Sequence, residues 1–198
     1  MRFIFVRHGH TYFNEIGLTQ GWCDSPLSKL GVEQVNRLKK QLEDTAIDAI
    51  YASVTGRTQE TAEILNEDRQ LPIILDKRLK EINFGYFEGL PEKLRDQFQV
   101  DSGPWQKDLN MDYSEFGGEK LSHVIDRQKD LLSELIQNNN NQTIMIIGHG
   151  CSLYGLVKTI TDTQIEQKYP KFKFMSNAGA VIIEYENNEF TITNLVNM

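Results

Sequence analysis

The chain has 198 residues, of which 39% are hydrophobic and 25% are charged, and its formal net charge is -7 at pH 7. This length suffices for one sizeable core and is short for two, so we expect a single domain over residues 1–198. The negative charge and the lack of any basic run disfavour binding to nucleic acid or anionic membranes, which need clustered Lys and Arg. No apolar stretch is long enough to span a bilayer and no signal peptide is evident, which favours a cytoplasmic location.

The two cysteines, Cys23 and Cys151, lie far apart in the sequence, and neither belongs to a C-x-x-C pair. Metal-binding and redox-active cysteines usually occur in close pairs. We therefore expect two free thiols without a metal or redox role, as is ordinary in a reducing compartment.

Strand-like and helix-like segments alternate along most of the chain. Short β-branched and aromatic runs are typical of buried strands, and Leu30, Val35, Leu38 and Leu42 recur at helical spacing. This alternation predicts an α/β fold with a largely parallel sheet and helices on both faces. In chain order we predict strand 2–6, helix 28–44, strand 46–53, helix 57–66, strand 71–75, helix 120–137, strand 143–148, a helix from about 151, and a hairpin over 179–195.

Residues 84–119 carry glycines and prolines without a strong period, and we interpret them as a short cap excursion over the sheet. Their aromatic side chains would either line an apolar entrance or form a small core of the excursion, and the sequence leaves both open. These side chains are Phe84, Tyr86, Phe87, Phe98, Trp105, Tyr113 and Phe116. The C-terminal hairpin would offer an edge that a homodimer could use.

Ionisable side chains follow each of the four strands that we expect to be parallel. The carboxyl ends of parallel strands meet at one edge of a sheet, where ligands bind. Four strand ends in succession are hard to obtain by chance. The side chains concerned are Arg7 and His8 after the first strand, Arg57 (with Ser53) after the second, Glu81 after the third and His149 after the fourth.

Two guanidiniums side by side are unfavourable unless an anion lies between them, and their planar donors suit a phosphoryl group or a dicarboxylate. An imidazole in such a site can act as a nucleophile and form a phospho-enzyme. His8 would then need one ring nitrogen unprotonated, with the other held as N–H by a backbone carbonyl of the loop.

Structural roles remain open for each residue taken alone. A single strand-end histidine is usually just a satisfied polar group, and Arg57 could pair with nearby Glu60 or Glu63 on a surface. A metal site is a further alternative, because H-G-H begins many metallohydrolase motifs and His149 and Glu81 could complete the ligand set. Two arginines beside a cation disfavour this alternative.

Five segments of the chain together resemble the histidine phosphatase superfamily, in its phosphoglycerate mutase-like branch, and within it the broad-specificity or alpha-ribazole-type phosphatases. The shared patterns are R-H-G-x-T-x-x-N, S-x-x-x-R-x-x-x-T-A, E-x-x-F-G-x-x-E-G, G-G-E and a late H-G. They occur in the family's order, as RHGHTYFN (7–14), SVTGRTQETA (53–62), LKEINFGYFEG (79–89), FGGE (116–119) and IGHG (147–150).

The resemblance implies a three-layer α/β/α sandwich and a reaction that needs neither cofactor nor metal. By matching position, it implies that His8 is the phosphorylated nucleophile and that Glu81 is the proton donor. It further implies that Arg7, Arg57 and His149 surround the phosphoryl oxygens, and that Asn14, Gln20 and Gly150 bind substrate.

The chain departs from the family pattern at His10, where Glu or Gln is usual, and at Lys120 and Gly148, where Ser is common. None of these changes removes a charged member of the site. We expect a phosphatase acting on a small phosphorylated metabolite. The alternatives are a mutase, which would need more cations than Lys93, Arg95 and Lys107 supply, and a non-catalytic phospho-ligand sensor, which would not need Glu81.

Overall fold

The computed structural model describes residues 1–98, 109–138, 142–161, 164–169 and 174–197. The strands within these ranges are β1 (Arg2–Arg7), β2 (Ala49–Ala52), β3 (Ile73–Leu75), β4 (Thr143–Gly148), β5 (Ala180–Glu186) and β6 (Glu189–Val196). The α-helices are α1 (Tyr12–Ile16), α2 (Lys29–Gln41), α3 (Gly56–Asn66), α4 (Lys93–Gln97), α5 (Leu121–Asn138), α6 (Gly150–Thr161) and α7 (Gln164–Lys168). None of the described helices is long and apolar enough to cross a membrane.

The strands form one six-stranded sheet in the order β3-β2-β4-β1-β5-β6. The pairs β2/β3, β2/β4 and β1/β4 are parallel. The pairs β1/β5 and β5/β6 are antiparallel. The predicted C-terminal hairpin, which is β5 and β6, forms one edge of the sheet. Asn187 and Asn188 both have positive φ in its turn, a conformation that Asn tolerates better than most residues.

Helices cover both faces of the sheet, which confirms the predicted α/β fold with a mostly parallel central sheet. Alternate side chains of β1 point to opposite faces: Phe3 and Phe5 to one, Ile4 and Val6 to the other. The first face packs against α5 and α6, and the second against α2 and α3. The helical core residues are Leu131, Leu135, Leu153 and Val157 on the first face, and Val35, Leu38, Ala62 and Leu65 on the second.

The predicted elements are all present, but several are shorter than expected. The predicted helix 28–44 covers only Lys29–Gln41, and the predicted strand 46–53 covers only Ala49–Ala52. Ser28 caps α2, because its side chain accepts a hydrogen bond from Gly31 N–H. Of the four apolar residues at helical spacing, Val35, Leu38 and Leu42 are buried, whereas Leu30 is 46% exposed.

Most of the aromatic side chains of the excursion (residues 84–119) form a small core of their own. Phe84, Phe87 and Tyr113 are buried together, with Phe87 lying 5.9 Å from Tyr113 between ring centroids. Tyr86 is 62% exposed. Trp105 and Lys107 lie outside the described residues. The structure therefore favours a small core of the excursion over an apolar entrance, although Phe84 also borders the cleft described below.

Candidate active site

The register of the sheet brings the strand ends to one level. Arg7 pairs with Gly148, so the residues that follow β1 and β4 emerge side by side. Ser53 N–H donates to the Ile147 carbonyl, which places the end of β2 next to them. His8 and His149 consequently lie close together, with 5.4 Å between their ring centroids.

His8 is buried and its ring is oriented by its own loop. Nδ1 lies 2.7 Å from the carbonyl oxygen of Gly9, which can only accept, so Nδ1 carries the proton and Nε2 keeps a lone pair. This is the backbone acceptor that the sequence led us to expect. Burial holds the pKa of His8 well below its ordinary value, and the charges of Arg57 and Arg7 lower it further. The imidazole is therefore neutral and has the tautomer that a nucleophile needs.

Arg57 is fully buried, and both of its Nη atoms are engaged. Nη1 donates to the Cys23 carbonyl at 2.9 Å and to Asp24 Oδ1 at 2.8 Å. Nη2 donates to the Gly21 carbonyl at 2.7 Å and to Nδ1 of His149 at 3.0 Å. Burial lowers the pKa of Arg57, and the Asp24 carboxylate opposes that shift.

His149 joins two of the predicted strand ends. Because its Nδ1 accepts from Arg57, its Nε2 carries the proton and donates to Ser53 Oγ at 2.9 Å. Burial, followed by the charge of Arg57, holds the pKa of His149 well below its ordinary value. His149 is therefore neutral and is bonded at both ring nitrogens.

Arg7 is positioned by the segment before β5. Its Nη1 donates to the Met175 carbonyl at 2.6 Å, and its Cζ lies 5.2 Å from the ring centroid of Phe174. Gly150 makes this packing feasible, because a Cβ there would lie 2.7 Å from the Phe174 ring and 3.1 Å from Arg7 Cζ. Burial lowers the pKa of Arg7.

Glu81 is buried against the first turn of α6. Its Oε1 accepts the N–H of Ser152 at 2.8 Å and that of Ile82 at 2.9 Å, and its Oε2 accepts the N–H of Cys151 at 2.9 Å. Arg127 of α5 fixes the backbone here, donating to the Glu81 carbonyl at 2.9 Å. Oε2 accepts one N–H only and keeps a second lone pair that can carry a proton.

Asn14 and Gln20 are tied to Thr11 at the start of α1. Asn14 Oδ1 accepts the N–H of Thr11, and the Thr11 side chain caps the helix in return. Gln20 Oε1 accepts the Thr11 hydroxyl hydrogen at 2.7 Å, which turns its Nε2 to the other side. Both amides border the cleft.

These groups surround a cleft of about 190 Å³. Arg57 and His149 are not among its lining residues: His149 lies next to His8, and Arg57 next to His149. Three buried donors of predicted site residues, Arg7 Nε, Arg57 Nε and Gln20 Nε2, have no hydrogen-bond partner. The cleft is lined by Arg7, His8, Asn14, Gln20, Glu81, Phe84, Glu92, Arg95, Met111, Gly150, Cys151 and Phe174.

The metal alternative gains no support from the arrangement of side chains. Within the described ranges, no three His, Cys, Asp or Glu side chains are grouped as metal ligands would be. His10, the second histidine of H-G-H, directs its ring Nδ1 to Ser28 Oγ at 3.1 Å, and its backbone N–H donates to Gln34 Oε1. The two free cysteines are not paired with each other.

Sequence reasoning missed several residues that shape the site. Asp24 binds Arg57, and Glu88 binds the backbone of the loop at 21–23. Glu88 belongs to the E-x-x-F-G-x-x-E-G motif, which was a usable signal. Glu92 and Phe174 border the cleft, and nothing in the sequence pattern singled them out.

The chain is similar to proteins of known family over most of its length. Phosphoserine phosphatase 1 of Hydrogenobacter thermophilus is 33% identical over 151 residues, covering 75% of this chain and 71% of that protein. Probable phosphoglycerate mutase GpmB of Erwinia tasmaniensis is 33% identical over 159 residues, covering 78% and 72% respectively. The solved structure of Bacillus stearothermophilus YhfR matches with a TM-score of 0.85 and 32% identity, over 99% of this chain and 96% of that one.

The family model of the histidine phosphatase superfamily (branch 1) matches residues 3–198. That match spans the motifs at 7–14, 53–62, 79–89 and 147–150, which supply the groups around the cleft. The chain belongs to the histidine phosphatase superfamily.

Proposed function

We propose that the protein is a metal-independent phosphatase that hydrolyses small phosphomonoesters through a phosphohistidine on His8. The observation that carries the proposal is the set of three buried, unpartnered N–H donors on Arg7, Arg57 and Gln20. A buried donor without a partner costs about 1–3 kcal/mol, which a bound oxyanion would recover. A phosphoryl group beside the neutral His8 imidazole supplies such an oxyanion.

In the first step, His8 Nε2 attacks phosphorus in line with the ester oxygen. The N–P bond forms, the P–O bond breaks, and its electron pair stays on the departing oxygen. Glu81 Oε2 gives that oxygen a proton, so the leaving group departs as a neutral alcohol.

In the second step, Glu81 takes a proton from water while the water oxygen attacks the phosphohistidine. The N–P bond breaks, its electron pair returns to Nε2, and inorganic phosphate leaves. Both residues regain their starting protonation states, so one ester is hydrolysed per cycle without a metal.

Positive groups near His8 would supply most of the acceleration, since the transferring phosphoryl group needs little covalent help. Arg7 borders the cleft and would bind the equatorial oxygens directly. Arg57 lies close enough to His8 for its charge to lower the pKa of His8, and we assign its unpartnered Nε–H to the same oxygens. His149, neutral and bonded at both ring nitrogens, would contribute by holding Arg57 in place. Asn14 and Gln20 border the cleft as well and would donate from their side-chain amides.

A mutase is the second candidate, because the relative named probable phosphoglycerate mutase GpmB shares 33% identity. A mutase would use the same residues but would return the phosphoryl group to a hydroxyl of the substrate. The relative named phosphoserine phosphatase 1, which is also 33% identical, supports the hydrolase.

The test is phosphate release from a panel of esters in excess EDTA, comparing the intact protein with His8→Ala. The panel should include phosphoserine and 3-phosphoglycerate, after the names of the relatives, alpha-ribazole phosphate, and p-nitrophenyl phosphate. We expect release that survives EDTA and disappears in the variant. Release abolished by EDTA would overturn metal independence, and isomerisation of 3-phosphoglycerate without release would favour the mutase.

A further inference from the structure

We infer that Glu88 is a positioning residue, which sets the orientation of the Arg57 guanidinium through the loop formed by residues 21–24. The inference rests on the proposed function in one respect, namely that Arg57 binds the transferred phosphoryl group. Glu88 does not border the cleft, so its effect must pass through the loop.

The carboxylate of Glu88 accepts hydrogen bonds from four backbone N–H groups. Oε1 accepts from Trp22 and from Phe84, both at 2.9 Å. Oε2 accepts from Cys23 at 2.8 Å and from Gly21 at 3.2 Å. One charged side chain thus gathers three successive N–H groups of the loop and ties them to the start of the excursion.

The approach of Glu88 to the loop requires glycine at position 21. A Cβ at Gly21 would collide with Glu88 Oε1 and with the carbonyl oxygen of Ile82. The loop and the Glu88 carboxylate are therefore fitted to one another at backbone distance.

The other side of the same loop holds Arg57. The carbonyls of Gly21 and Cys23 accept from Nη2 and Nη1 at 2.7 and 2.9 Å. The peptide unit between Gly21 and Trp22 is consequently bonded at both ends, with its carbonyl on Arg57 and its N–H on Glu88. Its dipole is aligned between the negative carboxylate and the positive guanidinium, which favours both contacts.

This arrangement determines which part of Arg57 remains for a ligand. The two loop carbonyls, Asp24 and His149 engage both Nη atoms, and Nε alone is buried without a partner. Rotation of the loop peptides would change the direction of Nε–H. A carboxylate that fixes three of those peptides therefore fixes the donor that we assign to the phosphoryl group.

The test is a double-mutant cycle of Glu88→Gln and Arg57→Ala, with Glu115→Gln as a matched control. Gln replaces one acceptor oxygen of Glu88 by an NH₂ group that would face backbone N–H groups. Glu115 is an exposed Glu of the same excursion and loses the same charge. The readouts are kcat and KM for the best ester, the affinity for inorganic phosphate by calorimetry, and the melting temperature.

We expect Glu88→Gln to lower kcat/KM by about 10- to 100-fold, mainly through kcat, and to weaken phosphate binding, by analogy with residues that orient the ligands of metal sites. Glu115→Gln should stay within about twofold of the parent. In the Arg57→Ala background, Glu88→Gln should cost no more than about twofold, because the group that it orients is gone.

Equal losses from Glu88→Gln with and without Arg57 would overturn the inference, since they would show a structural role independent of Arg57. A Glu88→Gln variant as active as the control would overturn it as well. If Glu88→Gln does not fold, Glu88→Asp, which keeps the charge, enters the same cycle with the same criteria. If the parent hydrolyses no ester, the proposed function fails, and the phosphate affinities of the four proteins still decide whether Glu88 acts through Arg57.

Discussion

The two sides of the cleft are built in different ways. On one side, Arg7, His8 and Gly150 follow directly from the ends of β1 and β4, whose register places them level with each other. On the other side, Phe84 belongs to the excursion, which is held by its own aromatic core and by carboxylate contacts to backbone N–H groups. Under the proposed function, the sheet edge would carry the reacting groups and the excursion would supply the surface that meets the rest of the substrate.

Glu81 lies where the two sides meet, and its replacement should have the largest effect. We expect Glu81→Gln to lower kcat/KM for alkyl phosphates by about 10²–10⁴-fold, because Gln cannot give a proton to the leaving oxygen. The loss should be much smaller for p-nitrophenyl phosphate, whose leaving group needs little protonation. Steady-state kinetics on both esters measure the difference.

Equal losses on the two esters would contradict the assignment of Glu81 as the proton donor. They would indicate instead that Glu81 acts by fixing the start of α6 through its contacts with Cys151 and Ser152.

Phe87→Ala should separate the stability of the excursion from the chemistry of the edge. Phe87 is fully buried, with ring centroids 4.9 Å from Phe116 and 5.9 Å from Tyr113. Its truncation should lower the free energy of unfolding by about 3–5 kcal/mol. Tyr86→Ala, which truncates the neighbouring exposed ring, should cost about 0.5 kcal/mol or less.

Denaturant unfolding, followed by tryptophan fluorescence and circular dichroism, measures both variants. If Phe87→Ala cost no more than Tyr86→Ala, the aromatic cluster would not be a core, and the excursion would be an adaptable entrance instead.

The buried histidines at the sheet edge should make the stability of the protein depend on pH. Burial lowers the pKa of His8 and of His149 in the folded state, so both stay neutral where the unfolded chain takes up protons. Stability is therefore full above about pH 6.5 and falls as the pH drops below it, by up to about 1.4 kcal/mol per pH unit for each histidine.

Denaturant unfolding at several pH values between about 5.5 and 7.5, the range in which histidine titrates, measures this slope. His8→Asn should make it shallower, whereas His123→Asn, at an exposed position, should leave it unchanged. Equal slopes for all three proteins would contradict the burial of neutral imidazoles at the edge.

The sheet edge could be predicted from the sequence because the carboxyl ends of neighbouring parallel strands lie at one edge of the sheet. This holds even where the predicted start of a strand is inexact. A run such as RFIFV ends at Arg7 whatever surrounds it, and IIG ends before His149. The acceptor for His8 is likewise local, since it is the carbonyl of the next residue.

Contacts between distant loops could not be predicted in this way. Leu30 fits the helical spacing of apolar residues, yet the buried stripe of α2 begins at Gly31, where the helix backbone packs on the His10 loop. A glycine carries no hydrophobic signal, so the pattern shifted by one residue. The bonds from Arg57 to the loop carbonyls depend on tertiary packing in the same way.

The residue that is phosphorylated during turnover tests the proposed function most directly. The protein is mixed with an ester, quenched in alkali, which preserves phosphohistidine, and digested for peptide mass mapping. We expect one added phosphoryl group, on the peptide that contains His8, and its loss under acid or in His8→Ala. Phosphorylation of another residue, or turnover that continues in His8→Ala, would contradict it.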